Sequence, residues 1–198
     1  MASSVQIAKL ALQHVGDRYD ITSLDEATPE AEQVNLLFDD VRDMVLRQHP
    51  WKFAVKHDSP AQLTGTVPGL WTYMFVYPSD CLKMIEIVNP LGKDADPLEF
   101  DIMLNSDDVK VIVCDVEEPE FRYISRVTDS ARFDPSFVMA FSMRLAQFLA
   151  VPLTGDRGLA EGLRNEADRM MSMARADDAN EGVEDDHRRD ASWIEARA

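Results

Sequence analysis

The stretch Asp43-Met44-Val45-Leu46-Arg47-Gln48-His49-Pro50-Trp51-Lys52-Phe53-Ala54 decides the fold, because it joins the end of an amphipathic helix to a proline and an aromatic hook. Pro50 disfavours helical geometry at His49, so the helix ends there and Trp51 and Phe53 swing back against the layer beneath. Pro50, Trp51 and Phe53 thus read as a structural hook that closes a core, ahead of any ligand-binding role. Upstream, Thr28 is a suitable N-cap and Pro29 fits the first helical position, where its missing N–H costs nothing. Glu30 and Glu32 put negative charge at the positive end of the helix dipole. Between these ends Val34, Leu37, Phe38, Val41, Met44 and Val45 recur at the spacing of one buried stripe, which predicts a helix over 29–48.

Before this helix, residues 4–15 form a shorter one with Val5, Ile7, Ala8, Leu10 and Ala11 apolar and Gly16 as its stop, and 17–27 connect the two. After the hook, the Pro, Gly, Thr and Ser of 55–70 predict a loop. The period then changes. Segments 71–77, 82–88, 98–102, 109–114 and 120–126 are short and rich in aromatic or β-branched residues, with clear turns at Asn89-Pro90-Leu91-Gly92 and Asn105-Ser106-Asp107-Asp108.

Asp134-Pro135 repeats the cap-then-proline logic and opens a helix over 135–150, ending before Pro152. Its wide apolar face of Phe137, Ala140, Phe141, Leu145, Phe148 and Leu149 marks it as the central core helix. A fourth helix over 157–176 carries Leu159, Leu163, Ala167, Met170 and Ala174 on one stripe. The order predicts an α+β fold: four helices with a small antiparallel sheet inserted, over about 71–126, between the second and third. Residues 1–176 are expected to form one domain. Residues 177–198 are an acidic extension, almost free of aliphatics but ending in the isolated pair Trp193-Ile194.

Composition narrows the function. The chain has 198 residues and 45% hydrophobic content, enough for one real core. Two cysteines, Cys81 and Cys114, are too few for a disulfide framework and are expected to be reduced and buried in an intracellular protein. No signal peptide and no window of membrane-spanning length is read from the sequence, so no membrane partner is expected. With 36 acidic against 20 basic residues the net charge is −16, which argues against gripping nucleic acid through its phosphates.

The four histidines, His14, His49, His57 and His187, form no compact ligand spacing, and P-loop, dinucleotide and G-x-S-x-G signatures are missing. The carboxylate pairs Asp39-Asp40, Asp107-Asp108, Glu117-Glu118 and Asp185-Asp186 read as solvated surface. The expectation is a protein that is not an enzyme and needs no cofactor or metal.

Several segments in a fixed order carry a resemblance. They are Ala11-Leu12-Gln13-His14-Val15-Gly16, Ile21-Thr22-Ser23-Leu24-Asp25-Glu26, the Arg47 to Ala54 hook, Tyr77-Pro78-Ser79-Asp80-Cys81-Leu82, Tyr123 to Phe137, Leu145-Ala146, and Val151-Pro152-Leu153-Thr154-Gly155. Together they resemble the head-to-tail adaptor family of tailed bacteriophages, also called tail tubular protein A or head completion protein of short-tailed phages. The resemblance covers most of the first 155 residues and none of the C-terminal extension.

It implies a structural virion protein made in the bacterial host cytoplasm: a homo-oligomeric ring, usually of twelve copies, joining the portal protein to the next tail component, a nozzle or tail tube protein. DNA would pass through the ring without specific binding. Twelve copies would carry a charge on the order of −190, so a lumen bearing part of it would offer DNA no sticky phosphate sites. The family's C-terminal segment typically reaches the portal, with the β-region toward the tail side.

Two groups of residues are candidate contacts. In the extension, Trp193 and Ile194 fit a partner pocket while Arg188 and Arg189 pair with acidic groups of the portal; the other reading is an exposed tail with an incidental tryptophan. Arg42, Arg47, Lys52 and Lys56, with His49 and His57, form the one basic concentration and would meet an acidic face of the neighbouring subunit. The alternative is local pairing with Asp39, Asp40 and Asp43. Two further functions stay open: an acidic DNA mimic that inhibits basic host proteins, and a peptidoglycan-degrading tail accessory protein.

Overall fold

A computed structural model describes residues 2–16, 20–92 and 95–181. Its helices are α1 (Ser4–Val15), α2 (Pro29–Arg47), α3 (Pro135–Thr154) and α4 (Arg157–Asn180), and its strands are β1 (Val55–Asp58), β2 (Tyr73–Val76), β3 (Cys81–Ile87), β4 (Phe100–Leu104), β5 (Lys110–Cys114) and β6 (Phe121–Ser125). The fold is α+β, and the expected caps are in place. Thr28 accepts from the Ala31 N–H ahead of Pro29, and Asp134 accepts from the Ser136 N–H ahead of Pro135.

The strands make two antiparallel three-stranded sheets rather than the one expected. Sheet A has the order β1-β6-β3 and sheet B the order β2-β5-β4. Three packing layers result. The helices bury Ile7, Leu12, Val45, Trp51, Phe137 and Phe141 against one face of sheet A, which contributes Leu82 and Ile124. The other face of sheet A packs Met84, Ile87, Phe121 and Tyr123 on Phe75, Ile112 and Cys114 of sheet B. The outer face of sheet B, with Met74, Val111 and Val113, is covered by Leu63, Val67 and Trp71 from the preceding loop.

A sheet buried on both sides needs its side chains sorted with care, and β3 does this with a bulge. Met84 pairs with Tyr123 and Ile87 with Phe121, although Met84 and Ile87 are three residues apart and would point to opposite faces of a regular strand. The register shift at Ile85 restores both to the inter-sheet face and sends Ile85 toward the helices.

The remaining differences from the sequence reading concern ends and exposure. Residues 55–58, expected in a loop, form the edge strand β1 on β6. Helix α3 passes through Pro152 to Thr154, because a proline one turn from the C-terminus forgoes only the bond to the Phe148 carbonyl, and Gly155 closes the helix in a left-handed conformation at φ 72°. Phe148, expected on the buried face, is 38% exposed. Helix α4 continues four residues past the expected end, to Asn180.

Both cysteines are free thiols, Cys114 buried and Cys81 only half-buried. Contrary to the expectation that no window spans a membrane, α3 is long and apolar enough to do so, with mean hydropathy 1.5. Over half of that window is instead buried within the chain, as the central helix packed on α1, α2 and α4.

Candidate functional site

The hook is the joint of the molecule. Trp51 is 1% exposed, donates from its indole N–H to the Val45 carbonyl at 3.2 Å, and meets Phe137 edge-on at 5.0 Å. Phe53 stacks beside it and packs on Phe133 and Phe137. Beyond the aromatics, the Ala54 carbonyl accepts both the backbone N–H and the hydroxyl of Ser125, each at 2.8 Å. Thus α2 is tied to sheet A through backbone and core together.

The four basic residues distribute around this joint. Arg42 is 5% exposed and donates to Asp39 at 2.7 Å and Asp43 at 2.8 Å, so the local-pairing alternative describes it, without Asp40. The second Asp43 oxygen takes Arg126 Nε at 2.6 Å. Arg47 donates to the Leu82 carbonyl and so clips α2 to β3. Lys56 pairs with Asp80, whose other oxygen accepts from the Tyr123 hydroxyl at 3.1 Å. Burial pushes the Asp80 carboxyl up, but the bonds from Lys56 and Tyr123 outweigh it and hold the group below the usual carboxylate range.

Lys52 is exposed and differs from the other three. Its ammonium makes no ion pair among the described residues and reaches only the Ala179 carbonyl, at 3.5 Å.

The residue that sequence reasoning missed is Asp178. It is 9% exposed, accepts the Lys52 backbone N–H at 2.9 Å, and lies 3.0 Å from His49 Nε2. The end of α4 is thereby locked to the hook. The signal was present: Leu163, Ala167, Met171, Ala174 and Asp178 fall on one buried stripe, so a carboxylate at its last position needs partners.

Two adjoining clefts open beside this lock. The smaller, about 490 Å³, is lined by His49, Lys52, His57, Arg122, Asp178 and Ala179. The larger, about 750 Å³, shares His57 and Arg122 and has an apolar floor of Ile87, Val88, Pro97 and Leu98. On their rim His57 Nδ1 lies 2.9 Å from Glu120, and Arg122 pairs with Glu86. Helix α4 ends here, with the Glu181 N–H donating to Asp177 at 3.1 Å. Arg188, Arg189, Trp193 and Ile194 lie outside the described residues, but the chain that carries them starts at this cleft.

Among the described residues no group of three or more His, Cys, Asp or Glu side chains is arranged to hold a metal ion. The clefts present the Lys52 ammonium, which makes no ion pair among the described residues, a rim of paired charges and an apolar floor. No family model matches the chain, and no curated protein matches its sequence.

Proposed function

We propose that this chain is a structural virion protein, a head-to-tail adaptor that forms a ring, with twelve copies as the expected number, between the portal and the next tail component. The reading starts from the ordered segments that resemble that family. What supports it is a layered architecture with two separate surfaces fit for docking. One is the cleft where α4 ends and the C-terminal extension begins. The other is the margin of sheet B, where Leu70, Leu104 and Val109 are more than half exposed.

An adaptor needs both: a portal-facing segment and a tail-facing surface. In such a ring each protomer meets its neighbours through two different patches, so contacts close only after a full rotation. Arg42 serves inside the protomer, where it is buried, which leaves Arg47, Lys52 and Lys56 as the exposed members of the basic group for a neighbour's acidic face.

The deciding experiment is an image, at side-chain resolution, of the particle whose genome encodes this chain. The expected result is a collar of this chain directly below the portal. A particle lacking the chain, together with competition against DNA for a basic host protein, would replace the adaptor with the DNA mimic. Release of soluble fragments from purified peptidoglycan would replace it with the hydrolase.

A further inference from the structure

We infer that the paired clefts are the docking site for the chain's own C-terminal segment, residues 182–198, in the protomer before it meets any partner. This stands on the clefts and on the exit of α4, and does not require the adaptor reading. Three observations converge. The first is position: Asp178 and Ala179 line the smaller cleft, and Asp178 is held by His49 and the Lys52 backbone, so the chain after Glu181 starts at the cleft with its origin fixed.

The second is charge. Glu184, Asp185 and Asp186 follow within a few residues, and the smaller cleft sets Lys52, Arg122, His49 and His57 against the single carboxylate of Asp178, with the Lys52 ammonium making no ion pair among the described residues. The third is apolar complementarity. Trp193 and Ile194 are the only large apolar pair in the segment, and the larger cleft offers Ile87, Val88, Pro97 and Leu98 in a volume of about 750 Å³.

Reach is sufficient. The extended chain from Glu181 to Trp193 spans about 40 Å, and as a flexible linker it averages roughly 20 Å. Because the ligand is tethered, docking is intramolecular and needs little intrinsic affinity. The consequence is a stored segment: a partner that binds Trp193 must first lift it from the protomer, which withholds it from unintended encounters.

Hydrogen exchange on the full chain tests this. Residues 187–198 and the peptides carrying Ile87, Val88 and Leu98 are expected to exchange about tenfold more slowly than in the double variant Trp193→Ala, Ile194→Ala. That variant changes no residue of the three hydrophobic clusters of the described fold. Lys52→Glu should weaken the same protection from the cleft side.

The inference is overturned if residues 187–198 exchange at free-peptide rates in the full chain. It is equally overturned if their protection rises with protein concentration, which would make the occupant a second copy. Neither result bears on whether the chain occupies a portal collar, so the two ideas fail separately.

Discussion

Asp178 shows how much one carboxylate can hold. Replacing it with alanine leaves the Lys52 N–H and the His49 ring without their acceptor, so Asp178→Ala should cost about 2 kcal/mol in urea unfolding, whereas Asp178→Asn keeps an acceptor for the Lys52 N–H and should cost less. His14 makes a different prediction. Burial lowers its pKa below the usual 6.5, against a weaker upward pull from Glu166, and its Nε2 has no hydrogen-bond partner among the described residues. The unfolded chain therefore takes up a proton that the fold resists, and stability falls as pH drops below about 6.5 toward the lowered folded value. Unfolding curves at pH 7.5 and 5.5 should show that loss in the parent and a smaller one in His14→Gln. Asp80 acts lower on the scale. Its depressed pKa contributes stability above the ordinary carboxylate range that is lost as pH falls through the folded value, so Asp80→Asn should flatten the acid limb of a stability–pH profile. At this scale the sequence was partly legible. The caps at Thr28 and Asp134 follow from local chemistry, but the partners of Arg47 and Asp178 lie 35 and 129 residues away, where spacing carries no information.

The helices were the most legible elements, since a 3.6-residue stripe and a cap are local properties. Their ends were less so. Pro152 argues for a stop, yet tertiary packing carries α3 past it to Gly155, whose left-handed conformation is the actual terminator. An added Cβ at Gly155 would meet nothing within 4 Å. Gly155→Ala should therefore cost only backbone strain, about 1 kcal/mol, read as a lowered thermal midpoint with unchanged helicity. Trp51→Ala, by contrast, empties the joint between α2, α3 and sheet A and should cost about 3–5 kcal/mol. Strand β1 was invisible for a physical reason: Val-Lys-His-Asp has no alternation, three of its four residues are exposed, and backbone pairing with β6 alone makes it a strand. The division into two sheets was equally hidden, because partner choice is non-local and the bulge at Ile85 breaks the alternation that would have revealed which face was which.

For the molecule as a whole, the boundary of the extension sets where it can be cut. Ending the chain after Glu181 keeps Asp178 and all of α4, so the truncated protein should keep the parent's helicity while losing the proposed portal binding in a pull-down. Ending it before Asp178 would confuse loss of a partner with loss of the lock. The class of fold and its single helical core could be read from the pattern of periods, whereas the ring and its partners rest on resemblance, since no stripe or turn records what a neighbouring molecule presents. The packing also dictates an order in time. Helix α1 finds its main support on α3, and Val55 of β1 waits for Ile124 of β6, so the apolar stripes of the first two helices lack their central cover until the ribosome has passed residue 154. The contacts between the two sheets lie within residues 63–123 and can form earlier, but the helical core closes only once α3 has been made, and nascent chains stalled before it would be the species that chaperones have to guard.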